Sequence, residues 1–263
     1  MKRGIEKYFD LEKKVIILTG SAGILGTQYA NILSEAGADI ILIDTEKKKN
    51  KNLEKIIKEK FHTNPTSFST DITNKIKIKQ MIKQILKKYG KIDVLINNAG
   101  ITIPNNSLNE YSLENWKKTL DVNLTGSFLC SQIIGKILKK QHSGSIINMT
   151  SINAELGFPN NPAYVVSKGG LKMLTKSLAK DLGKYGIRVN NLGPGYFVTD
   201  MTKNSYKNKK SRISRQNHTL LGRWGNVLDL VGPCIFLASD ASAYVTGQDL
   251  YVDGGWTANG LVE

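Results

Sequence analysis

The chain has 263 residues, with 37 Lys and Arg against 22 Asp and Glu and a formal net charge of +15; it can bury a sizeable core, and no stretch is long and apolar enough to span a membrane, so no membrane partner is expected. Met1 to Glu12 are charged and lack an apolar centre, which argues against a secretory leader and for a cytoplasmic location. The charge invites a nucleic-acid reading, but much of it falls between Lys47 and Lys60 and between Lys75 and Lys91, without the interleaved aromatics of a base-stacking platform; a solvated lysine-rich surface is expected instead, with no nucleic-acid partner.

Residues 14–18 form a short apolar run with β-branched side chains, the pattern of a buried strand. It leads into Thr19-Gly20-Ser21-Ala22-Gly23-Ile24-Leu25-Gly26 and then a helical stretch to about Ala36. Strand, glycine turn and helix in succession form a dinucleotide-site signature, because glycines let the backbone approach a pyrophosphate and the helix N-terminus offers free N–H groups. A second strand over 39–43 ends in Asp44, where an acidic residue would hold a ribose 2′-hydroxyl and repel a 2′-phosphate. NAD is therefore expected ahead of NADP, although Lys47, Lys48 and Lys49 follow closely.

Further strands are expected before Asp71 and over 92–96, 145–149, 187–192 and 249–252. Ile78, Met81, Ile82, Ile85, Leu86 and Tyr89 have helical spacing, as do Leu171, Leu174, Leu178 and Leu182. A long helix after Ser112 carries Asn123. The alternation predicts an α/β fold, a doubly wound (Rossmann), mainly parallel sheet with helices on both faces, in one domain over 1–263. Ser151 follows the strand over 145–149, and Tyr164 and Lys168 lie four residues apart, on one helical face. An ammonium beside a phenol stabilises the phenolate and lowers its pKa from about 10, which suits proton exchange with a substrate oxygen. Cys130 and Cys234 lack the spacing of a metal site and read as buried free thiols, and His62, His142 and His218 are scattered; no metal is expected.

Taken together, Thr19-Gly20…Gly26, Asp71-Ile72, Asn97-Asn98-Ala99-Gly100, Asn123, Ser151, Tyr164-x-x-x-Lys168, Pro194-Gly195-x-x-x-Thr199 and Val252-Asp253-Gly254-Gly255 resemble the short-chain dehydrogenase/reductase family in its compact single-domain form, in family order and over nearly the whole chain. One departure concerns the glycine turn. Compact members carry Thr-Gly-x-x-x-Gly-x-Gly, whereas here Ile24 stands at the middle glycine position and Gly23 lies one place earlier.

The resemblance implies Tyr164 as general acid/base and a cofactor contact, Lys168 as its partner and a ligand of the nicotinamide ribose, Ser151 as a hydrogen-bond donor to the substrate oxygen, and Asn123 as the holder of a water linking Lys168 to solvent. It also implies a cofactor surface. Gly20, Ser21, Gly23, Ile24, Leu25, Gly26 and Asp44 would surround the pyrophosphate and ribose, Asp71 and Ile72 would meet the adenine, and Asn98, Ala99 and Gly100 would pass beside the cofactor. Pro194, Gly195, Phe197 and Thr199 would border the nicotinamide. Residues 196–221 would form a lid, and relatives assemble as tetramers through the helices bearing Asn123 and Tyr164, with 254–263 joining a second interface; a homotetramer or dimer is expected.

The segment from Lys203 to Arg215 carries six cations and no acid. A basic lid could attract an anion, or simply reflect a chain rich in lysine throughout. Candidate wall segments 101–108, 153–161 and 196–221 include the polar residues Thr102, Asn105, Asn106, Asn153, Glu155 and Asn160. With the basic lid, these favour a polar or anionic small-molecule substrate: a polyol, sugar acid or phosphorylated sugar whose secondary alcohol and ketone are interconverted by hydride transfer with NAD, or with NADP as second choice. The alternative is 3-oxoacyl-(acyl-carrier-protein) reduction, and a lower one is a non-catalytic dinucleotide-binding module.

Overall fold

The computed structural model describes residues 4–105 and 107–260; Asn106 and the last three residues of the C-terminal segment lie outside them. Seven strands, β1 (Val15–Thr19), β2 (Asp39–Asp44), β3 (Thr66–Ser69), β4 (Val94–Asn97), β5 (Gly144–Met149), β6 (Ile187–Pro194) and β7 (Asp249–Val252), form one sheet. Its order is β3-β2-β1-β4-β5-β6-β7, and every neighbouring pair is parallel. The chain enters at β1, winds outward to β3, then crosses to β4 on the other side. Between β1 and β4 the winding reverses, and such a switch point opens a crevice at the carboxyl ends of the strands.

The helices are α1 (Ile24–Glu35), α2 (Lys47–Phe61), α3 (Lys75–Tyr89), α4 (Leu113–Leu120), α5 (Ser127–Gln141), α6 (Pro162–Leu182), α7 (Lys203–Lys207), α8 (Lys209–His218) and α9 (Val231–Ala238). Successive strand residues point to opposite faces. Ile16, Leu18, Ile40 and Leu42 join a core containing residues of α1, α2 and α9; Val15, Ile17, Ile41 and Ile43 join one containing residues of α3, α5 and α6. Burial on both faces explains why these strands read as continuous apolar runs. Helices α2 and α3 bury Leu53, Ile57, Ile78, Met81, Ile82 and Ile85, and leave the lysines in their own sequences exposed. No helix among the described residues is long and apolar enough to cross a membrane.

Two local features depart from expectation. The long helix after Ser112 is not uniform: α4 and α5 are joined through a π-helical stretch, Asp121–Gly126, that contains the fully buried Asn123. Such wide turns free backbone groups and often mark functional positions. The strand expected over 14–18 runs one residue later, because the buried Thr19 hydroxyl accepts the N–H groups of Asn98 and Ala99, each at 3.0 Å. That bond ties the end of β1 to the end of β4.

Candidate active site

The glycine turn follows β1 directly. Gly20 has φ +65°, and a Cβ there would lie 2.7 Å from the Cα of Ala99; both the conformation and the contact require glycine. Gly26 is equally constrained, since its Cβ would meet the Gly20 carbonyl at 2.1 Å. Gly23 is different. It caps α1 at φ −76°, and a Cβ would meet only the Gly20 carbonyl, at an ordinary 3.6 Å. The displaced middle glycine is therefore not needed for the turn itself, and Ile24, at the first position of α1, is 42% exposed.

Asp44 closes this side of the crevice. One carboxylate oxygen accepts the Ala22 N–H at 2.9 Å and the other the Glu46 N–H at 2.9 Å, leaving each oxygen free lone pairs for further donors. Asn50 is an element that sequence reasoning missed. It is 1% exposed; its Oδ1 accepts the Ser21 hydroxyl at 2.7 Å, and its Nδ2 donates to the carbonyls of Leu42 and Phe68. A single amide thus fastens the turn to β2 and β3. Its only sequence signal was a polar residue on the apolar stripe of α2. The uncapped N-terminus of α1, the close backbone approach at Gly20 and the Asp44 carboxylate together fit a dinucleotide.

Asp71 and Ile72 stand apart from this centre. Asp71 is exposed, and its Oδ1 accepts the backbone N–H and hydroxyl of Thr73, each at 2.8 Å. Ile72 is buried, with its side chain against Gly126. The Asn98 amide donates to the carbonyls of Thr19 and Gly20, both at 3.0 Å, so this residue holds the turn in place as well as bordering the crevice.

A cavity of about 340 Å³ opens at the carboxyl ends of β4, β5 and β6, within the size range of small-molecule sites. Leu25, Asn98, Gly100, Ser151, Tyr164, Lys168, Pro194, Gly195, Phe197 and Thr199 of the expected site all border it. Gly20, Ser21, Gly23, Ile24, Gly26, Asp44, Ala99 and Asn123 do not, the first five forming the neighbouring turn and the start of α1, and Asp44 the end of β2. Ser151 begins a short 3-10 turn after β5 and its Oγ accepts the Asn153 N–H at 3.2 Å. The Tyr164–Lys168 pair lies in the first turns of α6, which starts at Pro162, a residue suited to that position.

Asn123 supports the pair from behind. Its Oδ1 accepts the Ile101 N–H at 2.8 Å, and its Nδ2 donates to the Ile101 carbonyl at 2.9 Å and to the Ser167 hydroxyl at 3.0 Å. A Cβ on Gly100 would sit 3.4 Å from Asn123 Oδ1 and 3.6 Å from Lys168 Nζ. Gly100 thus lies between the amide and the ammonium, with room for no more than ordinary contact on either side.

The electrostatics correct one expectation. Burial is the leading influence on Tyr164 and pushes its phenol above the usual value, with a hydrogen bond from Ser151 opposing it and the nearby Tyr196 reinforcing it. Lys168 does not touch the phenol oxygen through a hydrogen bond; it donates to the Met149 carbonyl at 2.7 Å, with Nζ 5.6 Å from the Tyr164 ring centre. Burial lowers the Lys168 ammonium from 10.5 to about 8. In this pocket desolvation governs the tyrosine, and the opposing influence comes from Ser151 and not from the lysine.

The outer wall also differs from the sequence reading. Thr102 and Asn153 border the cavity, but Asn105, Glu155 and Asn160 do not. Glu155 turns away to pair with Lys172 and to accept the Tyr251 hydroxyl at 2.7 Å. Pro104, Ile152, Phe158 and Met201 stand in their place, so the wall is more apolar than expected. An aromatic cluster lies beside residues 196–221: Tyr196 packs against Trp224 and Trp256 with ring centres 5.4 and 4.7 Å apart, and His218 stacks edge-on to Trp256 at 4.2 Å. His218 thus has a packing role. Cys130 and Cys234 are buried, and burial pushes both thiols up to about 12, which makes them poor nucleophiles. No group of three His, Cys, Asp or Glu among the described residues is placed to hold a metal.

The chain was also compared with known proteins. A family model described as Enoyl-(Acyl carrier protein) reductase matches residues 20–257. The 5-keto-D-gluconate 5-reductase of Escherichia coli (strain K12) is 36% identical over 248 residues, covering 94% of this chain and 96% of that protein. A 3-oxoacyl-(acyl-carrier-protein) reductase of Thermotoga maritima is 36% identical over 247 residues, covering 93% of this chain and 98% of that protein. Among solved structures, a gluconate 5-dehydrogenase from Burkholderia cenocepacia J2315 in complex with NADP and tartrate superposes with a TM-score of 0.92 at 34% identity, covering 97% of this chain and 99% of that one.

Proposed function

The chain belongs to the short-chain dehydrogenase/reductase family, and from that membership we propose that it interconverts a secondary alcohol and a ketone on a polyol or sugar acid, using NAD in preference to NADP. The observation that carries this reading is the convergence of Ser151, Tyr164 and Lys168 on one cavity beside the glycine turn. The relatives named for gluconate chemistry support the substrate class.

In this reading the Tyr164 hydroxyl faces the reacting oxygen. It donates its proton to a ketone being reduced, or its phenolate accepts the proton of an alcohol being oxidised. Ser151 donates a hydrogen bond to the same oxygen and stabilises charge developing there. Lys168, anchored on the Met149 carbonyl, contributes positive charge at the floor of the cavity, and Asn123 holds the backbone of Ile101 beside it. When bound, the nicotinamide supplies the hydride acceptor or donor. Asp44, with backbone N–H groups already on both oxygens, would receive ribose hydroxyls and disfavour a 2′-phosphate.

Titration with NADH and NADPH, followed by assays of D-gluconate and D-glucitol oxidation with each cofactor, tests this reading. Preferential NADH binding and NAD-dependent oxidation of either compound are expected. Failure to bind either nucleotide would overturn it.

A second reading, reduction of a 3-oxoacyl group, is favoured by the apolar wall of Pro104, Ile152, Phe158 and Met201. Acetoacetyl-CoA turned over faster than any polyol or sugar acid would move it to the front. Assembly belongs to the same proposal: Phe128, Val166 and Met173, on α5 and α6, are 38%, 46% and 60% exposed, and covering them would suit a homotetramer or dimer built through these helices. A monomeric mass by light scattering would contradict it.

A further inference from the structure

Building on that reading, we propose that Arg215 selects the substrate by binding a carboxylate at the lid end of the cavity, so that the enzyme acts on polyols carrying one carboxylate group in preference to neutral ones. Of the six cations between Lys203 and Arg215, only Arg215 borders the cavity. Lys203 pairs with Asp200 at 3.3 Å, and Arg212 stacks on Tyr206 with its guanidinium carbon 5.5 Å from the ring centre. The basic lid therefore narrows to one side chain with access to substrate.

The charge balance of the cavity points the same way. Its bordering residues include two cations, Lys168 and Arg215, and no carboxylate. Lys168 is engaged with the Met149 carbonyl. Arg215 is half-buried and has no ion pair among the described residues. A half-buried cation facing a cavity with no carboxylate on its border offers a complementary charge to an anion.

The guanidinium also lies over an aromatic ring. Its central carbon lies 4.7 Å from the centre of the Tyr196 ring. Stacking on an aromatic ring occupies the face of the guanidinium and leaves its N–H edges free for bidentate binding. Tyr196 is itself held by Trp224 and Trp256, which steadies the platform. A single planar fork matches a carboxylate. A phosphate dianion would leave one of its two charges unmatched on Arg215, and the bordering residues offer no further cation beyond Lys168. Tyr164 borders the same cavity, so a carboxylate on Arg215 would orient the carbinol chain across the space between them.

Calorimetric titration of the NADH-saturated enzyme with D-gluconate, D-glucitol and D-glucitol 6-phosphate tests the assignment without relying on turnover, for the wild type, Arg215→Lys and Arg215→Gln. Gluconate is expected to bind most tightly to the wild type. Its affinity should fall about 30-fold or more in Arg215→Gln and recover in part in Arg215→Lys, with glucitol binding unchanged. Unaltered NADH affinity and circular dichroism would show that the variants are folded. Equal gluconate affinity in wild type and Arg215→Gln, or gluconate bound no better than glucitol, overturns the proposal. Tighter binding of glucitol 6-phosphate overturns the carboxylate assignment. The oxidoreductase reading fails by a separate result: no nucleotide binding, or no oxidation of any of these compounds with either nicotinamide.

Discussion

The two sides of the crevice are built in different ways. The β1–α1–β2 side is built from backbone: Gly20 at φ +65°, Gly26 pressed on the Gly20 carbonyl, and Asp44 and Asn50 gripping the turn. The β6–α8 side is built from side chains carried on two short helices over an aromatic bed, with Arg215 facing inward. Backbone recognition demands particular residue types at particular spacings, so it leaves a motif. Side-chain recognition demands an orientation, and many sequences can supply it.

Replacing the reacting group should produce the largest effect on either side. Tyr164→Phe is expected to lower kcat by about 10²–10⁴-fold while the protein still binds NADH, because the glycine turn and Asp44 remain in place. A variant retaining a tenth of the activity would remove Tyr164 from the proposed chemistry.

The glycine turn can be broken selectively. Gly26→Ala is expected to cost upwards of about 2 kcal/mol in thermal or denaturant unfolding and to abolish nucleotide binding, since its Cβ would lie 2.1 Å from the Gly20 carbonyl. Gly23→Ala, whose Cβ meets nothing closer than 3.6 Å, should stay within about 0.5 kcal/mol of the wild type. Equal losses in both would mean that the displaced glycine matters for a reason other than sterics.

Lys168 allows the chemistry to be separated from stability. Burial lowers its ammonium from 10.5 to about 8, so between those values the folded chain binds fewer protons than the unfolded one. This group therefore makes stability rise with pH across that window, and its cost is full below about 8. Lys168→Met should gain on the order of 1–3 kcal/mol at pH 7, after allowing for the lost bond to Met149, while losing activity. It should also flatten the rise in stability between the two values. Ketone reduction, which needs protons on Tyr164 and charge on Lys168, should decline on the alkaline side with a midpoint near 8; a flat profile through that region would separate Lys168 from the reaction.

Asp44→Ala should give the smallest effect, a relaxation of the NADH over NADPH preference by about tenfold, read as the ratio of two dissociation constants. No change in that ratio would show that the turn, and not the acid, discriminates between the nucleotides.

Much of the molecule was legible before its tertiary structure. Six strands were placed to within two residues; β1 and β2 were the plainest, because burial on both faces makes each an apolar run, whereas β3, Thr66–Ser69, is short, polar and only partly buried and was expected only as lying before Asp71. The Tyr164–Lys168 spacing guaranteed a shared helix face. Asn50 was hidden because an asparagine within a lysine-rich helix resembles a surface residue until β2 and β3 close over it. The π-helical turn at Asn123 was hidden because nothing in Asp121–Gly126 breaks an ordinary helical pattern.

The sequence by itself determined whatever depends on backbone conformation and short-range spacing: the parallel sheet, the glycine turn, and the positions of Ser151, Tyr164 and Lys168. Only the tertiary structure decided what depends on burial and direction. Desolvation raises the Tyr164 phenol and lowers the Lys168 ammonium, Glu155 turns outward to Lys172 while Phe158 turns inward, and Arg215 alone among the six cations from Lys203 to Arg215 borders the cavity. Spacing along the chain fixes which residues share a face, whereas the solvent each one loses is set by distant segments packed over it.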